Sequence, residues 1–243
     1  MQDILKDIVT HTHSLGFLSL VKITSSKEET LVEAMAEDRS VIVSAKTAAP
    51  VAQFDGVFGM PNLDKLKFLL NCEPYKEGAS IQVVEAQRNG EDVPTGLHFE
   101  NSAGDYQNDY RFMNTEIINE KLKTVKFKGA KWDIEIEPTA TSILRLKYQS
   151  QAHSEEPTFQ VSTEGSNLVF SFGDASTHAG SFVFEANVTG KLKQKWSWPV
   201  VQVMSILNLA GDKTMKIADA GALQITVDSG MAVYDYILPA QSK

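Results

Sequence analysis

An α+β fold made from one module used twice is predicted by three observations. A one-sided apolar segment opens each half of the chain. An apolar, small, apolar, proline step sits in the middle of each half. One spaced set of five residues closes each half. Two β-rich halves can share one such match by chance, but three matches in the same order are the mark of a duplicated domain.

The first helix is expected from about Asp3 to His13, where Ile4, Leu5, Ile8 and Val9 recur on one side. A second such segment begins near Thr141, where Ser142-Ile143-Leu144-Arg145 matches Asp3-Ile4-Leu5-Lys6 about 139 positions on. Each opens with a capping type of residue, then two apolar residues, then a cation, so Lys6 and Arg145 take equivalent places. Strand-like runs follow, Leu18–Ile23 and Ser40–Ser44 in the first half, Leu168–Phe172 and Ser181–Glu185 in the second.

Phe58-Gly59-Met60-Pro61 then precedes Leu63, Leu66, Phe68 and Leu69, and Trp196-Ser197-Trp198-Pro199 precedes Val201, Met204, Ile206 and Leu207. Alternation before the proline is strand-like, and proline suits the first turn of a helix, whose N–H has no partner to lose. Each copy therefore reads as a short strand running into a short amphipathic helix. Leu97, Phe99, Gly104, Asp109 and Tyr110 finally match Leu223, Ile225, Gly230, Asp235 and Tyr236. Their spacing is shorter by about a dozen residues, which the turn-rich stretch Gln87–Pro94 accounts for; its Asn-Gly favours a hairpin turn. The second half turns tightly around Asp219-Ala220-Gly221.

Each half thus reads as helix, three or so strands, helix, three or so strands. The expected modules are 1–118 and 132–243, with a connector at 119–131 and a capped turn at Asn114-Thr115-Glu116. Trp132–Ile136 reads as a strand ahead of the second half's first helix, and the first half has no equivalent.

The chain has 243 residues, 42% hydrophobic and 22% charged, which is ordinary globular composition. A single cysteine, Cys72, forbids an internal disulfide and points to a reducing compartment. Asp3 and Asp7 stand where a signal peptide needs cations, and no stretch approaches the ~18 apolar residues of a membrane span. The expected location is therefore the cytoplasm. The net charge of -8 opposes nucleic-acid binding as a sum. Its distribution does not: Lys121, Lys123, Lys126, Lys128 and Lys131 form one acid-free run, Lys191, Lys193 and Lys195 another, and the acids gather elsewhere. Ordinary solvated faces would look the same.

With this repeat in place, the sequence resembles the sliding-clamp family, the DNA polymerase processivity factors, along essentially its whole length. Tyr236-Ile237-Leu238-Pro239 is similar to the ending of many clamps, and the general likeness is nearest to clamps of T4-like bacteriophages, especially those infecting cyanobacteria. The resemblance implies a closed ring of six modules, hence a homotrimer at two modules per chain. Helices would line the channel, sheets would form the outside, and edge strands would pair between subunits. It implies double-stranded DNA as a sequence-independent partner, with a DNA polymerase and a clamp loader as protein partners. The channel candidates are Lys6, Lys65, Lys67, Arg145 and Lys147, all on expected helices. Diffuse cations that touch phosphates without reading bases suit a ring that must slide. The partner-pocket candidates are Tyr236, Ile237, Leu238 and Pro239 in the tail and Leu122, Val125 and Phe127 in the connector; core strand residues are the competing reading of both groups. A phage-encoded chain would work in the host cytoplasm.

No catalytic constellation stands out. His11-Thr12-His13 lacks companion ligands at metal spacing and reads as a surface pair at a helix end. Cys72 follows a helix with nothing evident to activate it. There is no phosphate loop and no nucleophile elbow. No cofactor or metal is expected. Two rivals remain: a β-rich viral structural or scaffold protein, and a small enzyme with a scattered site such as His178 with Asp174.

Overall fold

The computed structural model describes residues 1–88, 90–123, 127–174, 176 and 178–241, and at Glu91 only the backbone. The chain divides into two compact units, Met1–Val125 with Ser229–Tyr234, and Lys126–Asp228 with Asp235–Lys243.

The first unit opens on α1 (Gln2–His11), which buries Ile4, Leu5, Ile8 and Val9 on one face. Strands β1 (Val21–Ser25), β2 (Thr30–Met35), β3 (Ile42–Thr47) and β4 (Gly56–Met60) follow, in the sheet order β4-β1-β2-β3 with antiparallel ladders. Alternate residues of β1 and β2 are buried, as one-sided packing against helices requires. Helix α2 (Leu63–Asn71) buries Leu63, Leu66, Leu69 and Leu70 and packs beside α1. A three-stranded sheet in the order β5 (Ser80–Arg88), β6 (Glu91–Glu100), β7 (Gln107–Arg111) comes next, and α3 (Thr115–Lys121) after it. The segment 229–234 also belongs here: the Ala48 N–H donates to the Met231 carbonyl at 2.8 Å.

The second unit opens on β8 (Ile134–Ile136) and α4 (Ala140–Ala152). A sheet in the order β11 (Gly180–Glu185), β10 (Asn167–Phe172), β9 (Thr158–Glu164), β12 (Trp196–Pro199) follows. Helix α5 (Val200–Leu207) and strands β13 (Asp212–Ala218), β14 (Ala222–Asp228) and β15 (Ala232–Pro239) complete it, with neighbours β15-β14-β13-β8. Its core centres on Trp198, fully buried, whose indole N–H donates to the Leu238 carbonyl at 3.1 Å.

The repeat is real, with four strands after each first helix where three were expected; Thr30–Met35 is the strand the first half adds. The strand before the second half's first helix exists as β8 and pairs with β13. The stretch 87–94 is not an irregular insert. Most of it is ladder, paired as far as Arg88 opposite Glu91, and the extra length begins where the register slips between Val84 and Glu85. A slip of this kind is how a sheet accommodates an added residue and re-aims a strand. The prolines sit one step earlier than the first helical turn: Pro199 caps α5, and Pro61 precedes the cap Asn62, which is left-handed at φ 51. Asn62 is the residue by which the first half's helix starts later than the second's.

Burial also corrects the match between α1 and α4. The inward residues of α4 are Ser142 and Leu146, whereas Leu144 is 45% exposed and Leu5 is fully buried. Ile4 therefore corresponds to Ser142 and Ile8 to Leu146. This pairs Lys6 with Leu144 and Asp7 with Arg145, so Lys6 and Arg145 are not equivalent. The cap of α4 is Thr139, whose hydroxyl accepts from the Ser142 N–H at 3.1 Å; α1 has no side-chain cap.

Candidate nucleic-acid and partner surfaces

The five cations singled out from the sequence, Lys6, Lys65, Lys67, Arg145 and Lys147, are all exposed on helices. Each lies outside its helix's buried stripe, which leaves its charge in water. The faces they share differ between the units. In the first unit, Lys6, Lys65 and Lys67 share the open faces with Asp3 and Asp64, three cations against two carboxylates; the third carboxylate of these helices, Asp7, has a side chain only 9% exposed. In the second, α4 carries Arg145 and Lys147 with no acid, and α5 carries no charged residue at all. Large apolar side chains share the open faces: Phe68 is 65% exposed, Tyr148 59% and Val201 66%. The apolar pattern that located α2 and α5 counted Phe68 and Val201 with the inward residues, and the structure places both outside.

The carboxylates of α1 and α2 are partly engaged. Asp64 accepts from His13 Nε2 at 2.8 Å. Asp7 accepts from the Tyr234 hydroxyl at 2.8 Å and from Ser229 Oγ at 3.1 Å, with His11 Nδ1 at 3.2 Å. Burial works against its charge, but these partners win and hold the carboxyl below the usual carboxylate range. His11 is itself buried, its ring stacked on Tyr234 with centroids 4.5 Å apart. The two histidines are thus not a surface pair: one is core, and the other is half-buried against Asp64.

A cavity of ≈ 560 Å³ opens in the first unit beside α3. Leu20, Met35, Met113 and Leu122 give it apolar walls, and Arg39 and Lys121 stand with Glu37 around it. The turn that presents Arg39 is held in an uncommon conformation, φ 60 at Arg39, with its N–H donating to the Ala36 carbonyl at 2.9 Å. Asp38 fixes the other side by accepting from the Ser40 N–H at 2.9 Å, and Ser40 lowers the Asp38 carboxyl pKa. The expected turn at Asn114 is a full cap: its side chain accepts from the Ile117 N–H at 3.0 Å and starts α3. Helix α3 docks against β4 so closely that a Cβ on Gly59 would fall 2.8 Å from Ile118, which explains the small residue of the Phe-Gly-Met step.

Of the tail and connector residues named from the sequence, Leu122 lines this cavity. Tyr236, Ile237 and Leu238 are buried in β15, and Pro239 at its end is exposed. Phe127 is 37% exposed and lies 5.9 Å from the Trp132 ring, centroid to centroid. Val125 falls outside the described residues, as does Lys126 of the connector run. Lys121, Lys123, Lys128 and Lys131 are exposed.

Among the described residues no group of three or more His, Cys, Asp or Glu side chains is placed to hold a metal ion. Cys72 caps the end of α2, half-buried. Among the described residues no helix is long and apolar enough to cross a membrane.

No family model matches the sequence, and no curated protein does. Solved structures do match the fold. PCNA from Thermococcus kodakaraensis superposes with a TM-score of 0.68 at 11% identity, covering 98% of this chain and 96% of that one. A. fulgidus PCNA, solved with the C-terminal region of FEN-1 bound, gives 0.71 at 11% identity over 100% and 97%. Proliferating Cellular Nuclear Antigen from Entamoeba histolytica gives 0.67 at 10% identity over 99% and 94%. The chain has the PCNA-like clamp fold, with its repeated modules of sheet and helix.

Proposed function

We propose that this chain is a DNA sliding clamp, which encircles duplex DNA as a homotrimeric ring and tethers a replicative DNA polymerase. The observation that carries the reading is the likeness to PCNA structures over nearly the full length of both chains. Two modules, 1–118 and 132–243, joined by the connector 119–131, would give a trimer six modules. Strands β7 and β11 stand at the ends of their sheets within the chain, and their pairing between copies would close the ring. The exposed cations Lys6, Lys65, Lys67, Arg145 and Lys147 are assigned to the DNA-facing side. The cavity at Leu122 is assigned to partner peptides, by analogy with the neighbour solved with the C-terminal region of FEN-1. The tail Tyr236–Pro239, with Phe127 and Val125, is proposed as a further contact for partner peptides; among its described members Pro239 and Phe127 are exposed, and Tyr236, Ile237 and Leu238 are buried. A clamp loader would place the ring on DNA. The nearest branch is proposed to be that of T4-like phages, including cyanophages, with the host cytoplasm as the place of work.

Solution mass by light scattering, followed by retention on circular nicked DNA, tests the reading. A mass of three chains, and retention that is lost when the DNA is linearised, is the expected result. Reversing Arg145 and Lys147 to glutamate should keep the mass and reduce loading onto the DNA about tenfold or more, since two phosphate contacts become repulsive. A chain that stays monomeric at high concentration would sink the proposal.

A further inference from the structure

Two features of the first half depart from the repeat: the helix α3, and the prolonged end of the β5–β6 hairpin beyond the register slip at Val84/Glu85. Both border one cavity of ≈ 570 Å³, separate from the Leu122 site. Ala86, Arg88, Val93 and Pro94 line it from the hairpin extension, and Thr115 and Ile117 from α3. Its frame is hydrogen-bonded: the Phe112 N–H donates to the Thr95 carbonyl at 2.9 Å, and Thr115 Oγ1 to the Val57 carbonyl at 2.6 Å. Ile117 nonetheless points an apolar side chain outward, 44% exposed. Arg88 and Arg111 both reach this cavity, and among the described residues Glu116 is the one carboxylate that lines it.

We infer that this cavity is a second docking site, for an acidic, aliphatic peptide segment of a partner protein. The apolar wall of Val57, Val93 and Ile117 takes a branched side chain. The two guanidiniums take a neighbouring carboxylate, which their planar forks recognise better than any ammonium would. Arg111 makes only a long contact inside the chain, 3.8 Å to Asp109, and its side chain is 69% exposed. A nucleic-acid backbone fits less well. Glu116 stands in the lining beside the arginines and would repel an extended polyanion, and the wall of Val57, Val93 and Ile117 offers phosphates nothing. A peptide that brings one carboxylate beside a leucine can meet the arginines at one end and the apolar wall at the other.

The test uses the full chain in its native assembly. The probes are a fluorescent peptide alternating aspartate and leucine, the same peptide with lysine for aspartate, and a labelled single-stranded oligonucleotide. The acidic peptide should bind, the lysine peptide should not, and amide shifts should centre on Thr95 and Ile117. Arg88→Glu should weaken binding about tenfold or more, and Ile117→Asp should do so independently, both with unchanged circular dichroism. Equal binding by these variants would overturn the inference. Competition by the oligonucleotide at matched concentration would do the same, in favour of nucleic acid. A lower solution mass for Arg88→Glu would also overturn it, because the cavity would then belong to a neighbouring copy of the chain.

Discussion

The two halves keep the same helix–strand packing and build it from different atoms. At the end of β4 the first half buries Met60, and at the matching place in β12 the second buries Trp198. The flexible thioether of Met60 fills its site without a polar partner. The indole of Trp198 adds a directed hydrogen bond to Leu238. On the first helices the difference is one of charge: Asp7 sits among Ser229, Tyr234 and His11, while its counterpart Arg145 is solvent-exposed. On the last hairpins, Asp109 is held by His98 Nδ1 at 2.9 Å. Its counterpart Asp235 accepts from Gln224 Nε2 at 2.9 Å and Thr226 Oγ1 at 2.5 Å. Duplication thus fixes the order of helices and strands, and leaves open both the chemistry of a position and, as at Asp7 and Arg145, whether its side chain is buried.

The comparison is broken most severely at the core. Trp198→Ala should cost about 4–5 kcal/mol, since it opens a large cavity and strands a buried carbonyl, and Met60→Ala about 2–3 kcal/mol. Denaturant unfolding reads both, and equal costs would mean that the halves carry the same load. A smaller effect is expected at Asp7. Its folded pKa lies below the unfolded value of about 3.9, so it adds stability above that pH and loses it as pH falls through the folded pKa. Asp7→Asn should cost about 1–2 kcal/mol at neutral pH and flatten the acid limb of the stability curve. Arg145→Gln should leave that limb as it was; a matching change would show that the acid sensitivity does not come from this cluster.

The smallest effect sharpens the hairpin comparison. The hydrogen bond from His98, with Arg111 and Lys65 nearby, lowers the Asp109 carboxyl pKa. His98→Gln copies the second half's residue. It should raise the Asp109 pKa toward the ordinary carboxylate value, read by carboxyl NMR titration, while Asp235 stays unchanged. Stability should move by no more than about 0.5 kcal/mol, because the pair is solvent-exposed. An Asp109 that titrates as before would mean that the histidine is not what holds it.

Much of this was legible in the residues, and the failures have physical reasons. The strand-to-helix steps at Pro61 and Pro199 are visible because proline punctuates wherever it stands. The register of α1 against α4 is not, because an apolar pattern cannot see Ser142. That hydroxyl is buried and donates to the Phe184 carbonyl at 2.7 Å, so a polar residue holds an inward place. Matching Ile143-Leu144 to Ile4-Leu5 by type therefore slipped by one residue. The β5–β6 extension reads as turn because Asn, Gly, Asp and Pro crowd it, yet tertiary pairing carries the ladder through Pro94 opposite Glu85. His11 reads as exposed because a helix-end histidine is usually solvated; only the arrival of Tyr234 from far along the chain buries it. The five cations named from the sequence lie exposed on helices, and their assignment to DNA is a proposal. The two cavities were not visible, because residues far apart in sequence form each of them.

The partial balance of three exposed cations against two exposed carboxylates, Asp3 and Asp64, on α1 and α2, and the absence of charge on α5, have a kinetic meaning on the proposed reading. A ring moving along a duplex crosses a corrugated energy profile, and its one-dimensional diffusion slows exponentially with the height of the ripples. Ripples much above RT, about 0.6 kcal/mol, would arrest it, and each firm cation–phosphate contact adds to them. Carboxylates set among the cations of α1 and α2, with the bare Phe68 beside them, keep the profile shallow there. Retention would then rest on topology, and friction would be set by the two cations of α4.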